Sequence, residues 1–261
     1  MALPASVISE LATVVDDAQR NASEIVKLTD DQPEMDLADA YAVQAELLRR
    51  WQGEGRRLTG YKGGLTSKAK MVQMGLDTPV FGVLMGDTCV PDGDVIDMNG
   101  LIHPKVEAEI AFVTSRELSG DVSIDEVLAA TEFVLPAIEV IDSRYKDFKF
   151  DIQSVVADNT SAARYVVGGS PRRAAGLDLR LLGVVMECNG EVVGTAAGAA
   201  VMGHPAASVV ELVKWLAGAG KALPEGSLVM TGGVTEAVAV FAGDHVSARV
   251  QHLGTVGVRF T

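Results

Sequence analysis

The residues of this chain best suited to chemistry are three glutamates and a lysine. In KVEAEIAFV (residues 105–113), Lys105, Glu107 and Glu109 fall on one face of a strand and Val106, Ala108 and Ile110 on the other, because successive strand side chains point to opposite sides. Two like charges so close together are costly unless a cation or protons intervene; a half-exposed strand with its polar side outward is the alternative. Glu139 stands in an otherwise apolar strand, VLPAIEVID, with Ala137 and Ile141 on its own face. A carboxylate there needs a partner, either a Lys or Arg or a shared ion. Together the three glutamates make an all-oxygen donor set for a hard divalent cation with open water positions. Lys62 lies in the glycine-rich GYKGGLT, read as a turn in which glycine lets the backbone approach a ligand. There it can bind a carboxylate or move a proton, or simply be solvated; the GxxxxGK[ST] of phosphate loops is missing.

Other polar residues gather after Glu139. DSRYKDFKFD and VADNTSAARYVVGG supply Arg144, Lys149, Asp158, Asn159 and Ser161, for which a solvated loop is the plain alternative. Arg144 and Lys149 follow Glu139 closely and add positive charge there. Thr231, Gly232 and Gly233 end a strand, offering a hydroxyl and backbone N–H groups or merely a turn. His204, before Pro205, is either a helix cap or a base. The other histidines have no metal-ligand spacing, and no GxSxG or Cys/His arrangement supports nucleophilic catalysis.

These residues must be positioned by elements that the periodicity outlines. The first 55 or so residues read as helical, with Leu37, Ala40, Tyr41, Leu47, Leu48 and Trp51 near a 3.6 period and Asp36 as N-cap. Thr66 or Ser67 caps a short helix ending near Gly75. From residue 80 short strands dominate, with a helix predicted over Ile124–Phe133 and another beginning at Pro205. Asn189-Gly190 between apolar runs predicts a hairpin, and a second is expected around Gly254. Strands and helices do not alternate regularly, which disfavours a doubly wound parallel sheet. The expected organisation is a helical N-terminal part, residues 1–79, including the Lys62 loop, and a β-rich metal-binding catalytic part, residues 80–261.

Composition narrows the partners. Lys plus Arg number 22 against 35 Asp plus Glu, a formal charge of -13. Such a surface repels phosphate backbones and anionic lipids, so nucleic acid and membrane are excluded as expected partners. A small anionic substrate then needs local positive charge, which a bound cation would supply. Cys89 and Cys188 form no CxxC pair, so neither a disulfide framework nor a zinc knuckle is expected. The N-terminus reads as an amphipathic helix rather than a signal peptide, and no apolar stretch reaches the ~18 residues a membrane span needs. A cytoplasmic location is the expectation.

Six segments in register carry a resemblance: GYKGGLTSKAKMVQMGLDTPVFG, IHPKVEAEI, LPAIEVIDSRYKDFKFD, SVVADNTSAARYVVGG, GAAVMGHP and MTGG. From about Lys27 to the end, the chain resembles the hydratase/decarboxylase family of the fumarylacetoacetate-hydrolase-like superfamily. IDSRYKDFKFD is similar to the 4-oxalocrotonate decarboxylase branch, which implies a dianionic substrate that Arg144 and Lys149 would help place. The resemblance implies an α+β fold, a mixed β-roll or sandwich with a helical N-terminal part. It implies Mg²⁺, with Mn²⁺ as a substitute, on Glu107, Glu109 and Glu139, and Lys62 as the active-site lysine. Asp158 and Ser161 match the element lining the family's substrate pocket, with Thr160 where Ala is more usual; Thr231 and Gly232 are further candidates for substrate binding. The implied activity is decarboxylation of 2-oxohex-3-enedioate to 2-hydroxypenta-2,4-dienoate in aromatic meta-cleavage. The alternatives are hydration of 2-oxopent-4-enoate (vinylpyruvate), or a silent subunit supporting a hydratase. A homo-oligomer and a complex with vinylpyruvate hydratase are the expected assemblies.

Overall fold

Leu11, Ala12, Val15 and Ala18 recur along one side of the N-terminal sequence, and that side is buried in helix α1 (Ala5–Arg20). In the computed structural model, which describes residues 2–73 and 75–261, α1 packs on α3 (Leu37–Gly53) through the latter's buried Ala40, Val43, Leu47 and Trp51. Asp36 caps α3 as predicted: its carboxylate accepts from the Asp39 N–H and the Asp39 side chain accepts from the Asp36 N–H, a box worth about 1 kcal/mol. The short α2 (Leu28–Asp31) lies between them in sequence. Gln44 ties this helical layer to the remainder, its buried amide donating to the carbonyls of Phe81 (2.9 Å) and Val156 (3.0 Å).

Two sheets organise the rest. The larger contains β1 (Leu58–Gly64), β2 (Val80–Met85), β3 (Cys89–Val90), β5 (Lys105–Thr114), β6 (Thr131–Ile141), β7 (Ala162–Val167) and β10 (Leu228–Met230), in spatial order β2-β1-β10-β5-β6-β7-β3, with β11 (Val238–Ala239) also on β5. The smaller runs β4 (Val95–Ile96), β13 (Gly254–Phe260), β12 (His245–Val250), β8 (Gly183–Cys188), β9 (Glu191–Ala197). Both predicted hairpins are present: Asn189-Gly190 joins β8 to β9 with both residues at positive φ (55° and 84°), and β12 pairs with β13. Helices α4 (Lys68–Gln73), α5 (Ile124–Ala129), α6 (Ile152–Ala157) and α7 (Pro205–Gly218) lie among the strands. The architecture is α+β, a mixed roll and sandwich.

β5 and β6 are buried on both faces. One face, with Val106, Ala108, Ile110, Ile138 and Val140, joins Val246, Ala248, Val256 and Val258 of the smaller sheet in the main core. The other face curls inward. Leu84, Ala111, Leu135, Ala137, Tyr165 and Met230 fill one end of that roll, and the glutamates occupy the other. The roll is closed across strands that are far apart in the sheet order. The Thr59 and Tyr165 hydroxyls lie 2.9 Å apart. The Asn159 side chain imitates a strand partner, accepting from the Val83 N–H (2.8 Å) and donating to the Val83 carbonyl (3.0 Å).

Two sequence expectations need correction. The GYKGG stretch is not a turn but part of strand β1, paired with both β2 and β10. Its Gly60 serves close packing, since a Cβ there would sit 1.8 Å from the Leu228 carbonyl oxygen. The helix predicted to reach Phe133 ends at Ala129, because Thr131 to Phe133 pair with Thr114 and Val113 at the start of β6.

Candidate metal centre and substrate cavity

Strand register assembles the acidic cluster. Antiparallel pairing of β5 and β6 sets Glu107 directly opposite Glu139, with Glu109 opposite Ala137 one pleat further along the same face. The three carboxylates are 8, 0 and 1 % exposed in sequence order, and one oxygen from each lies within 4.8 Å of the others. Glu109 Oε2 accepts from the Gly232 N–H at 2.8 Å. Lys62 Nζ stands 3.0 Å from Glu139 Oε2, an ion pair off the hydrogen-bonding direction. Among the described residues, Glu109 Oε1 and Glu139 Oε1 have no hydrogen-bond partner. A buried carboxylate oxygen in that state is expensive.

The electrostatics point the same way. Burial, followed by the neighbouring Glu139, pushes the Glu109 carboxyl well above the usual range, with Lys62 opposing. Burial likewise raises Glu139 despite Lys62. Burial alone would drive the Lys62 ammonium toward neutrality, but Glu139, Glu109 and Glu107 outweigh it and hold its pKa above the ordinary value. Glu109 and Glu139 are thus buried carboxylates that a divalent cation would stabilise. The donors are all oxygen, which suits Mg²⁺ or Ca²⁺ rather than a soft metal. Glu107, Glu109 and Glu139 therefore fit such an ion.

A cavity of about 260 Å³ opens beside the cluster. Lys62, Gly63, Gly64, Lys105 and Glu107 line it on the sheet side, and Phe148, Phe150, Val155, Thr160 and Ser161 on the other. Lys62 Nζ also donates to the Thr160 carbonyl at 3.1 Å. Thr160 and Ser161 have φ of 52° and 60°, and Leu65 and Phe148, which also line the cavity, have 57° and 58°. Left-handed backbone at four non-glycine residues is strained and concentrates where a binding site is built.

The remaining candidates take other places. Ser161 lines the cavity, its Oγ 3.4 Å from Asp158 Oδ2. Asp158 is fully buried against Arg144, and burial pushes its carboxyl up to about 6 although Arg144 opposes. Arg144 also donates to the carbonyls of Asp142 (2.6 Å) and Asp158 (2.7 Å), so its guanidinium is committed within the loop. Lys149 is 79 % exposed beside Asp147. Neither basic residue expected to place a dianionic substrate faces the cavity. Thr231 Oγ1 donates to the Ile110 carbonyl (2.8 Å), and Gly232 serves Glu109. His204 is a cap, its Nδ1 accepting from the Ala206 N–H at 3.0 Å. Sequence reasoning missed Lys105 and the aromatic wall of Phe148 and Phe150; Lys105 was visible on the face of Glu107, whereas nothing local turns Phe148 inward.

A family profile described as fumarylacetoacetate (FAA) hydrolase C-terminal matches residues 60–261. The chain belongs to this family. It is 54% identical over 251 residues (96% of this chain, 95% of the relative) to a 4-oxalocrotonate decarboxylase of Pseudomonas sp. strain CF600. It is 39% identical over 252 residues (96% of this chain, 94% of the relative) to a 2-keto-4-pentenoate hydratase of Paraburkholderia xenovorans. It superposes with a TM-score of 0.98, at 50% identity over 100% of this chain and 99% of the other, on the 4-oxalocrotonate decarboxylase of Pseudomonas putida G7 complexed with magnesium and adipate. A second structure of that enzyme holds calcium and acetate. Hard divalent ions in those two structures agree with the oxygen-only donor set found here. Among the described residues no helix is long and apolar enough to cross a membrane.

Proposed function

We propose that this chain decarboxylates 2-oxohex-3-enedioate (4-oxalocrotonate) to 2-hydroxypenta-2,4-dienoate with Mg²⁺ held by Glu107, Glu109 and Glu139. The observation that carries the reading is the buried three-carboxylate cluster beside Lys62 at the foot of a phenylalanine-lined cavity. Greater identity to the decarboxylase relative than to the hydratase relative supports the choice between the two activities. When bound, the divalent ion supplies Lewis-acid stabilisation of negative charge on the C2 oxygen, worth several kcal/mol.

The reaction breaks the C5–C6 bond. Its electron pair moves through the conjugated chain to the C2 oxygen, CO₂ leaves, and that oxygen takes up a proton. Lys62 is the residue assigned to hold this proton. With its Nζ beside Glu139 and lining the cavity, it serves as a charge partner and proton donor at that oxygen. The Thr160 carbonyl and Glu139 fix the direction of Nζ. Phe148 and Phe150 keep water away from the far carboxylate, and a poorly solvated carboxylate loses CO₂ more readily. Ser161 at the wall is the substrate contact; Asp158 and Gly232 act through Ser161 and Glu109, and Thr231 through its bond to β5.

The test is direct. Purified chain with Mg²⁺ is given 2-oxohex-3-enedioate and, separately, 2-hydroxypenta-2,4-dienoate. CO₂ from the first and little 4-hydroxy-2-oxopentanoate from the second is expected; fast hydration without CO₂ would make the chain a hydratase. We place it in the cytoplasm, where Cys89 and Cys188 remain free thiols. The expected homo-oligomer or hydratase complex would use a surface such as the outer strand β9, which exposes Val192 and Val193.

A further inference from the structure

The cavity has two ends on the sheet side. Glu107 marks the metal end, and Lys105 stands two residues along the same face of β5, a repeat of roughly 6.7 Å. A six-carbon dicarboxylate, with five carbon–carbon bonds of about 1.5 Å each, extends over roughly 6 Å between its carboxyl carbons. Among the described residues lining the cavity, the only cations are Lys62 and Lys105. Lys62 is committed to Glu139 and the Thr160 carbonyl. Lys105 is half-buried, and no carboxylate of the described residues pairs with it; its Nζ lies 4.0 Å from the centroid of the Phe148 ring.

That ring is held there at a cost. Asp147 and Phe148 both have positive φ (55° and 58°), an arrangement an aromatic residue rarely adopts. The turn is secured from the N-terminal part, where Glu24 Oε1 accepts from the Asp147 N–H (3.2 Å) and lies 3.2 Å from His103 Nδ1. The His103 ring in turn packs 5.1 Å from that of Phe148. Strained backbone that aims an aromatic ring under an ammonium with no carboxylate partner among the described residues is the mark of a built site rather than a loose surface lysine.

We propose that Lys105, oriented by Phe148, is the specificity residue that binds the far carboxylate of the substrate and so selects dianionic over monoanionic 2-oxo acids. This rests on the decarboxylase reading above. The role carries a kinetic signature. Attraction between Lys105 and the leaving carboxylate exists in the ground state and fades as the group becomes neutral CO₂. It therefore lowers KM without raising kcat.

The experiment uses the Mg²⁺-loaded full-length chain with Lys105→Met and Lys105→Arg. Calorimetric titration compares adipate with hexanoate, a monoanion of the same length. Wild type should bind adipate more tightly, by roughly tenfold or more for a charge-assisted contact; K105M should lose that preference while binding hexanoate as before, and K105R should keep most of it. With 2-oxohex-3-enedioate, K105M should raise KM by a similar factor and leave kcat unchanged or slightly higher. No preference for adipate in wild type, an intact preference in K105M, or equal loss of both ligands would overturn the proposal. So would a fall in kcat at unchanged KM. Because the binding comparison needs no turnover, it remains decisive even if no CO₂ is released and the decarboxylase reading fails.

Discussion

Glu107 and Glu139 face each other across the β5–β6 pair, side by side on the inner face of the roll. Like charges directly opposite in a sheet are destabilising. Here the pair is also buried with Glu109, an arrangement that a bound cation would stabilise.

Metal should therefore contribute to stability as well as to catalysis. Mg²⁺ at about a hundred times its Kd is expected to stabilise the fold by about 2.7 kcal/mol, visible as a rise in Tm. Glu109→Gln removes one charged ligand and should abolish most of that rise and most CO₂ release. Full activity in excess chelator, with no metal in the protein, would sink the assignment.

The acidic cluster also sets a pH dependence. Glu109 and Glu139 titrate above the ordinary 4.5 in the folded chain. Without metal, the folded state keeps protons that the unfolded state has released, so stability falls as pH rises above that value. A divalent ion displaces those protons. Urea midpoints at about pH 5 and about pH 7.5 should differ in the metal-free protein and converge with saturating Mg²⁺, while Mg²⁺ affinity rises with pH. Parallel behaviour with and without metal would contradict the assignment.

Lys62→Met should lower kcat by roughly a hundredfold or more if the ammonium stabilises charge at the C2 oxygen. The same change strips Glu139 of its ion pair, so the metal-free variant should melt earlier and recover most of its Tm with Mg²⁺. Unchanged kcat would return Lys62 to a purely structural role.

Arg144 offers a contrasting case. Its guanidinium neutralises Asp158 within the loop, so Arg144→Met leaves a buried carboxylate alone and should cost about 3–5 kcal/mol in urea unfolding. Adding Asp158→Asn should restore part of it. An Arg144→Met variant of normal stability but raised KM would instead place Arg144 on the substrate.

Much of this was legible in the chain itself. Strand parity alone places Lys105, Glu107 and Glu109 together, and Glu139 stands out because its strand is otherwise apolar. Caps and hairpins were readable too, since Asp36 and Asn189-Gly190 act through bonds and dihedrals confined to a few residues. Tertiary structure decided what each charge faces. The register that opposes Glu107 to Glu139, and the curl that brings Lys62 from β1 onto β6, depend on pairings between distant segments. Local sequence showed Arg144 as an available cation, yet the fold spends it on Asp158. It showed Phe148 as one aromatic among polar residues, yet Glu24, over a hundred residues earlier, holds the turn that aims its ring under Lys105. Periodicity reports which way a side chain points from its own strand; what it meets there is fixed only when the roll closes.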